Sequence, residues 1–178
     1  TGVRVLDPEA AGRLQKAGAQ YDEATQWVRI PETVLRDILL KAPSHFELHG
    51  RGPHNVLSFG EGKTYFSSMG TAAQVADEHT GTRLPTLEDV EKFYRLVDAL
   101  PHLDHASWVV WPRDVPNDLA HIYEVIYGFK NTTKSLDGYN WGSRFSQETI
   151  DMAAIVAGGT EELVQRPMLL GFTNPVSP

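Results

Sequence analysis

The sequence contains no cysteine. Disulfides, thiolate nucleophiles and thiolate metal ligands are excluded at once, and the absence fits a reducing compartment. Positive charge is not in excess: 16 Lys and Arg stand against 23 Asp and Glu, for a formal net charge of −7. A nucleic-acid partner, which calls for a basic face, is therefore not expected. No apolar run approaches the roughly 18 residues of a membrane span, and the opening TGVRVLDPEA has no signal-peptide core. These absences read as a soluble cytoplasmic chain without a membrane partner. A glycine-rich phosphate loop is also missing. TYFSSMGTAAQ has one glycine after its strand-like run, LDGYNWGS has two at the wrong spacing, and IVAGG reads as a helix C-cap. A nucleotide-binding open sheet thus loses its signature.

What is present is enough apolar material for a core: 41% of 178 residues are hydrophobic. DPEAAGRLQKAGA reads as a helix, capped by Asp7, with Pro8 in its first turn and Gly18 at its end. TQWVRI alternates as a strand. PETVLRDILLKAP reads as a second helix with Val34, Leu35, Ile38 and Leu39 on one face. HFELHG and NVLSFG are short strand-like runs, and AAQVADEHTGTRLP reads as a hairpin turning at Thr80-Gly81.

From TYFSSMG onward strands and helices alternate. TLEDVEKFYRLVDAL is a helix with Thr86 and Asp89 at capping-box spacing, DHASWVV a strand, and NDLAHIYEVIYGF a helix. KSLDGYN is a strand, SQETIDMAAIVAG a helix capped by Ser146, and PMLLGFTN a strand. Such alternation implies parallel pairing through crossover helices. The expected fold is α/β: a partial TIM (β/α)₈ barrel of about four β/α units over residues 64–178, preceded by a small α+β segment over residues 1–63. The closing LLGFTNPVSP runs a strand into a proline-rich loop, a place where α/β proteins keep their chemistry. The second half of the barrel is expected to lie beyond it.

In a barrel, function collects at the C-terminal ends of strands. The expected first strand delivers Ser67, Ser68 and Met69 there, and the second Trp108 and Trp111. The third delivers Asp137, Tyr139, Asn140 and Trp141, and the fourth Phe172 and Asn174. Aromatic faces attract cations, quaternary ammonium above all, although large rings also simply plug a barrel mouth. Of these, Met69, Trp111, Tyr139, Asn140, Trp141, Phe172 and Asn174 form the candidate substrate site.

Other candidates have plainer readings. His45 and His49 share a strand face and His54 follows, a spacing that suits metal ligands, but the segment lies outside the β/α rhythm and reads as surface histidines. Lys134 would need a strand's C-terminal end to form a Schiff base, and it sits at the start. Asp104 and His105 also open a strand. Arg113 and Asp114 could grip a substrate carboxylate or order their loop by an ion pair, and the structural role is the one favoured.

The stretches GVRVLDPEA, VRIPETVL, KAPSHFELHGR, DMAAIVAGG and NPVSP, in this order and spacing, resemble the trimethylamine methyltransferase family. The resemblance runs over essentially the whole chain and covers about the first half of a typical member. It implies a TIM-barrel subunit of one-carbon metabolism, including methanogenesis. Such a subunit removes a methyl group from a methylated amine and passes it to the Co(I) corrinoid of a separate corrinoid protein. It implies no cofactor bound by this chain itself, a cobalamin-type corrinoid on the partner, and a homo-oligomer in the full-length protein. Founding members carry pyrrolysine. Others lack it and are similar to glycine betaine methyltransferases, the more numerous branch and the one favoured here. No catalytic residue of the family maps onto a position of this sequence. Two alternatives remain: a module that binds quaternary ammonium without turning it over, and a barrel lyase, for which only Asp137 is suitably placed.

Overall fold

The computed structural model describes residues 2–172, in two compact units, 2–44 and 45–172. The first contains β1 (Val3–Arg4), α1 (Pro8–Lys16), β2 (Gln20–Asp22), β3 (Trp27–Arg29) and α2 (Glu32–Leu39). The three strands form an antiparallel sheet in the order β1-β3-β2. Asp7 caps α1 by accepting the Ala10 N–H at 2.9 Å. Ala11, Ala19 and Val28 are the unit's buried apolar residues, whereas Leu35, Ile38 and Leu39 of α2 are exposed.

The second unit opens with two antiparallel hairpins, β4 (Phe46–His49) with β5 (Val56–Phe59), and β6 (Val75–Asp77) with β7 (Gly81–Arg83). Then follow α3 (Leu87–Ala99), β8 (His105–Ala106), α4 (Ala120–Asn131) and β9 (Ser135–Gly138). The unit ends with α5 (Ser143–Ala157), α6 (Thr160–Gln165) and β10 (Leu169–Gly171). β8, β9 and β10 form a parallel sheet in sequential order, with Ala106 opposite Leu136 and Leu136 opposite Leu169.

The core lies between this sheet and the helices. Val90, Tyr94 and Val97 of α3 meet Val125 and Phe129 of α4, with Ala106, Leu136 and Ala153 in the same cluster. α4 approaches closely because of Gly128: a Cβ there would stand 2.9 Å from Leu136 Cδ1 and 3.2 Å from Tyr94 Cζ. The N-terminal ends of the strands are covered. In the β4/β5 hairpin, the His49 N–H donates to Pro167 O at 2.7 Å, and Asn55 Nδ2 donates to the Thr133 carbonyl and hydroxyl at 2.9 Å. Lys134 Nζ, buried, donates to Val97 O at 2.5 Å and Leu100 O at 2.8 Å at the end of α3. Its role is to satisfy carbonyls that the helix end leaves unpaired.

Several expectations change. The α/β class and the parallel pairing hold, but the sheets among the described residues are small and none closes into a cylinder. The expected first strand, TYFSSMG, is not a regular strand. Ser67 pairs with His105 and Ala72 with Val110, both parallel and at the same offset, with no ladder between them. A positive φ of 52° at Thr71 breaks the pleat. Ser146 does not cap α5, which begins three residues earlier, at Ser143 with Gly142 before it. Ser146 sits inside the first turn and donates back to Gly142 O at 3.0 Å. The glycines of IVAGG do end α5, Gly158 being left-handed at φ 97°, but α6 follows them directly and was not expected. No helix of the described residues is long and apolar enough to cross a membrane.

Candidate functional site

The C-terminal ends of the parallel strands carry the aromatic residues. Trp108 follows β8, Tyr139 and Trp141 follow β9, and Trp111 lies three residues beyond Trp108. Trp108 stacks on Tyr139 with centroids 4.3 Å apart and planes 12° apart. Trp111 reaches Tyr139 at 6.1 Å and Trp141 at 5.5 Å, and Tyr139 meets Trp141 edge-on at 5.2 Å. Three of the expected site residues, Trp111, Tyr139 and Trp141, therefore share one cluster. The rings fill the space between one another, so the cluster is a wall and not an empty cage.

The open space lies beside Trp108 and is not lined by Trp111, Tyr139 or Trp141. A hollow of about 340 Å³ is lined by Gly70, Thr71, Ser107, Trp108, Asp137 and Phe172, among others, a size within the range of small-molecule sites. Gly70 permits the close approach of its segment to β8, since a Cβ there would fall 2.9 Å from Ser107 Oγ. Phe172 joins the hollow, and Asn140 Nδ2 donates to the Phe172 carbonyl. Met69 is 94% exposed and does not line the hollow. Asn174 lies outside the described residues.

A polar row runs along the sheet face that bears the hollow. Strand alternation places His105 and Ser107 on one face, and register places Ser135 and Asp137 beside them. His105 Nδ1 is 2.8 Å from Ser135 Oγ, and His105 Nε2 is 2.8 Å from Asp137 Oδ1. Ser107 donates to Asp137 Oδ2, and Trp108 Nε1 donates to the Asp137 carbonyl at 3.3 Å. The intervening Ala106 and Leu136 face the helices.

Behind the aromatic wall sits Glu124 of α4, fully buried. It accepts from Tyr139 OH, from the Val109 N–H at 3.0 Å and from Tyr94 OH at 3.5 Å. One carboxyl group thus ties together the chain leaving β8 and the chain leaving β9. Burial pushes its pKa up to about 7, against the pull of these hydrogen bonds. The same burial, together with the Glu124 carboxylate, pushes the Tyr139 phenol well above its ordinary value. His121, one turn earlier in α4, is also fully buried, with Nε2 2.7 Å from Glu148 Oε2.

The remaining candidates are structural. The expected Arg113–Asp114 ion pair does not form; Asp114 instead accepts the Leu87 N–H at 2.9 Å at the start of α3, the Arg113 backbone N–H donates to Pro85 O at 2.9 Å, and Asp104 accepts the Phe66 N–H at 2.8 Å. His49 Nε2 lies 3.4 Å from Glu47 Oε2. Among the described residues no group of three His, Cys, Asp or Glu side chains is arranged to hold a metal.

From sequence His105 is set aside because it opens a strand, and Ser107, Ser135 and Glu124 are not singled out. The signal for the first three was present in the paired patterns HAS and SLD, each with polar residues flanking a small or apolar one on a strand. Glu124 had none, because a lone glutamate in an amphipathic helix reads as surface.

Fold and site together define a class: an α/β protein with an aromatic-walled, acid-floored hollow at the C-terminal ends of parallel strands. The sequence profile of the family described as trimethylamine methyltransferase (MTTB) matches residues 1–178. The chain belongs to the trimethylamine methyltransferase family. It is 31% identical over 179 residues to "Trimethylamine methyltransferase MttB" of Desulfitobacterium hafniense (strain DSM 10664 / DCB-2), covering 100% of this chain and 36% of that protein. It is 30% identical over 184 residues to "Trimethylamine methyltransferase MttB" of Methanosarcina thermophila, covering 99% and 38%. With "Glycine betaine methyltransferase" of Desulfitobacterium hafniense (strain Y51) it shares 28% identity over 142 residues, covering 79% and 29%. The matches span between 29% and 38% of the length of these relatives.

Proposed function

We propose that this chain forms part of a methyltransferase that moves a methyl group from a methylated amine to the reduced corrinoid of a partner protein. The donor is trimethylamine or a quaternary amine such as glycine betaine. In this reading residues 64–178 are the first four β/α units of a (β/α)₈ barrel and residues 1–63 an α+β lead. The sequential order β8-β9-β10 is the order that such a singly wound sheet requires.

The observation that carries the reading is the hollow, which combines the rings of Trp108 and Phe172 with the carboxylate of Asp137 and, among the described residues, is lined by no Lys or Arg. That set suits a desolvated cation. The corrinoid is here the methyl acceptor, and it supplies the nucleophile. The residues at hand fit its approach: Met69, Trp141 and Phe172, which follow the strand segments, leave apolar surface 94%, 52% and 65% exposed. When the C–N bond breaks, nitrogen keeps the electron pair. A quaternary donor then leaves as a neutral tertiary amine and needs no proton. The chain's residues therefore have three tasks: strip water from the cation, hold one N-methyl outward, and fix the aromatic wall in place. Glu124 serves the last by holding Tyr139 from behind.

The test is to mix the full-length protein that contains this chain, since half a barrel is not expected to turn over by itself, with a corrinoid protein reduced to Co(I), add trimethylamine or glycine betaine, and follow the visible spectrum. Amine-dependent loss of the Co(I) absorbance is expected. An unchanged spectrum with an amine that demonstrably binds would reject methyl transfer in favour of a binding module.

A further inference from the structure

Among the described residues, Asp137 is the one charged side chain lining the hollow. We propose that Asp137 is the counter-charge that selects a fully methylated ammonium over less methylated amines and over neutral molecules of the same shape. The inference rests on the methylated-amine reading and adds to it which cation the site prefers and which residue chooses.

The hydrogen bonds around Asp137 carry the argument. Oδ1 lies 2.8 Å from His105 Nε2, and Oδ2 accepts from the Ser107 hydroxyl. His105 is itself fixed by Ser135 Oγ at 2.8 Å, and both His105 and Ser135 are buried. With the proton on Nε2, the histidine donates to Asp137 and accepts from Ser135. The carboxylate is thus held in one orientation, with a donor already on each oxygen.

A primary ammonium seeks three acceptors and has to compete with His105 and Ser107 for these oxygens. A quaternary ammonium has no N–H. It needs only negative charge at short range and apolar surface for its methyl groups. Trp108 and Phe172 provide that surface beside Asp137. Trp108 is locked there by its stack on Tyr139 and by its own N–H bond to the Asp137 backbone. A carboxylate satisfied by the protein and flanked by rings therefore discriminates by what the ligand does not ask for.

The experiment is calorimetric binding to wild-type protein, D137N and S107A, with no corrinoid present. The probes are choline against its uncharged carbon isostere 3,3-dimethylbutan-1-ol, and tetramethylammonium against methylammonium. Wild-type protein is expected to bind choline at least about tenfold more tightly than the isostere, or about 1.4 kcal/mol. D137N should bring the two within about threefold of each other, since the Coulombic contribution is gone. S107A keeps the charge but frees one oxygen. It should retain the preference for choline while losing part of the preference for tetramethylammonium over methylammonium. Charge discrimination that survives in D137N overturns the proposal. If D137N does not fold, equal binding of choline and the isostere by wild-type protein overturns it instead, as does an S107A profile identical to wild type. Intact discrimination without methyl transfer would leave Asp137 in its role and reject the methyltransferase reading alone.

Discussion

Replacing Glu124 with glutamine should make the protein more stable in mild alkali than the wild type, and the gain should vanish in acid. Glu124 is fully buried on α4, and burial raises its pKa from 4.5 to about 7. The groups around it are Tyr94 from α3, Tyr139 and Asp137 from the β9 side, the Val109 N–H beyond β8, and His121 on its own helix. Below about pH 4.5 the folded and unfolded chains both carry the proton, and Glu124 contributes no pH dependence. Between about 4.5 and 7 the unfolded chain releases it while the folded chain keeps it, so stability falls as pH rises. Above about 7 both are ionised, and the folded state bears the whole cost of a buried carboxylate. At about 1.4 kcal/mol per tenfold change in proton affinity, that cost is about 3 kcal/mol. Urea unfolding of wild-type and E124Q proteins at pH 4.5, 6 and 8 reads it directly, since groups common to both cancel at each pH. With a slope of about 2 kcal/mol per molar urea, the difference in midpoint should change by about 1.5 M from acid to alkali. Parallel pH curves for the two proteins would refute the assignment of this carboxyl as a buried, upward-shifted group.

Two further outcomes follow from the packing. D89N should destabilise the second unit by about 2 kcal/mol, because Asp89 receives a two-pronged Arg83 contact at 2.6 and 2.7 Å and the Thr86 N–H at 2.8 Å. The Arg83 hydrogen bonds hold its carboxyl well below the usual range despite burial, so the wild-type advantage should persist to acid and fade only as pH drops below about 4. G128A should cost about 1–2 kcal/mol in chemical denaturation even though alanine favours helix, because its methyl would press on Leu136 and Tyr94.

The helices were legible because their signals are local. Asp7 with Pro8, and Thr86 with Asp89, mark starts that the folded chain uses as written. Parallel strands buried by crossover helices were legible from rhythm alone, and three of them pair as expected. The segment after Thr64 was misread as a regular strand because apolar Tyr65 and Phe66 suggest one, while the left-handed backbone at Thr71 leaves no mark in composition. The start of α5 was misplaced because Ser146 is a good capping residue and Gly142 a silent one. At the site, the meeting of Trp111, Tyr139 and Trp141 was legible because each follows an apolar run that ends at the same edge of the sheet. The bonds from His105 and Ser107 to Asp137 were not, because strand register sets them and a single sequence does not encode register.

The central claim is that the strand-end hollow holds a methylated ammonium against Trp108 and Phe172. Proton NMR of the protein with tetramethylammonium tests it through magnetisation transfer between the N-methyl protons and assigned aromatic side chains. Cross-relaxation to the ring protons of Trp108 and Phe172, abolished in a Trp108→Ala variant that still folds, is the expected result. Transfer confined to aromatic residues away from the strand ends, or none at saturating cation, would contradict the account.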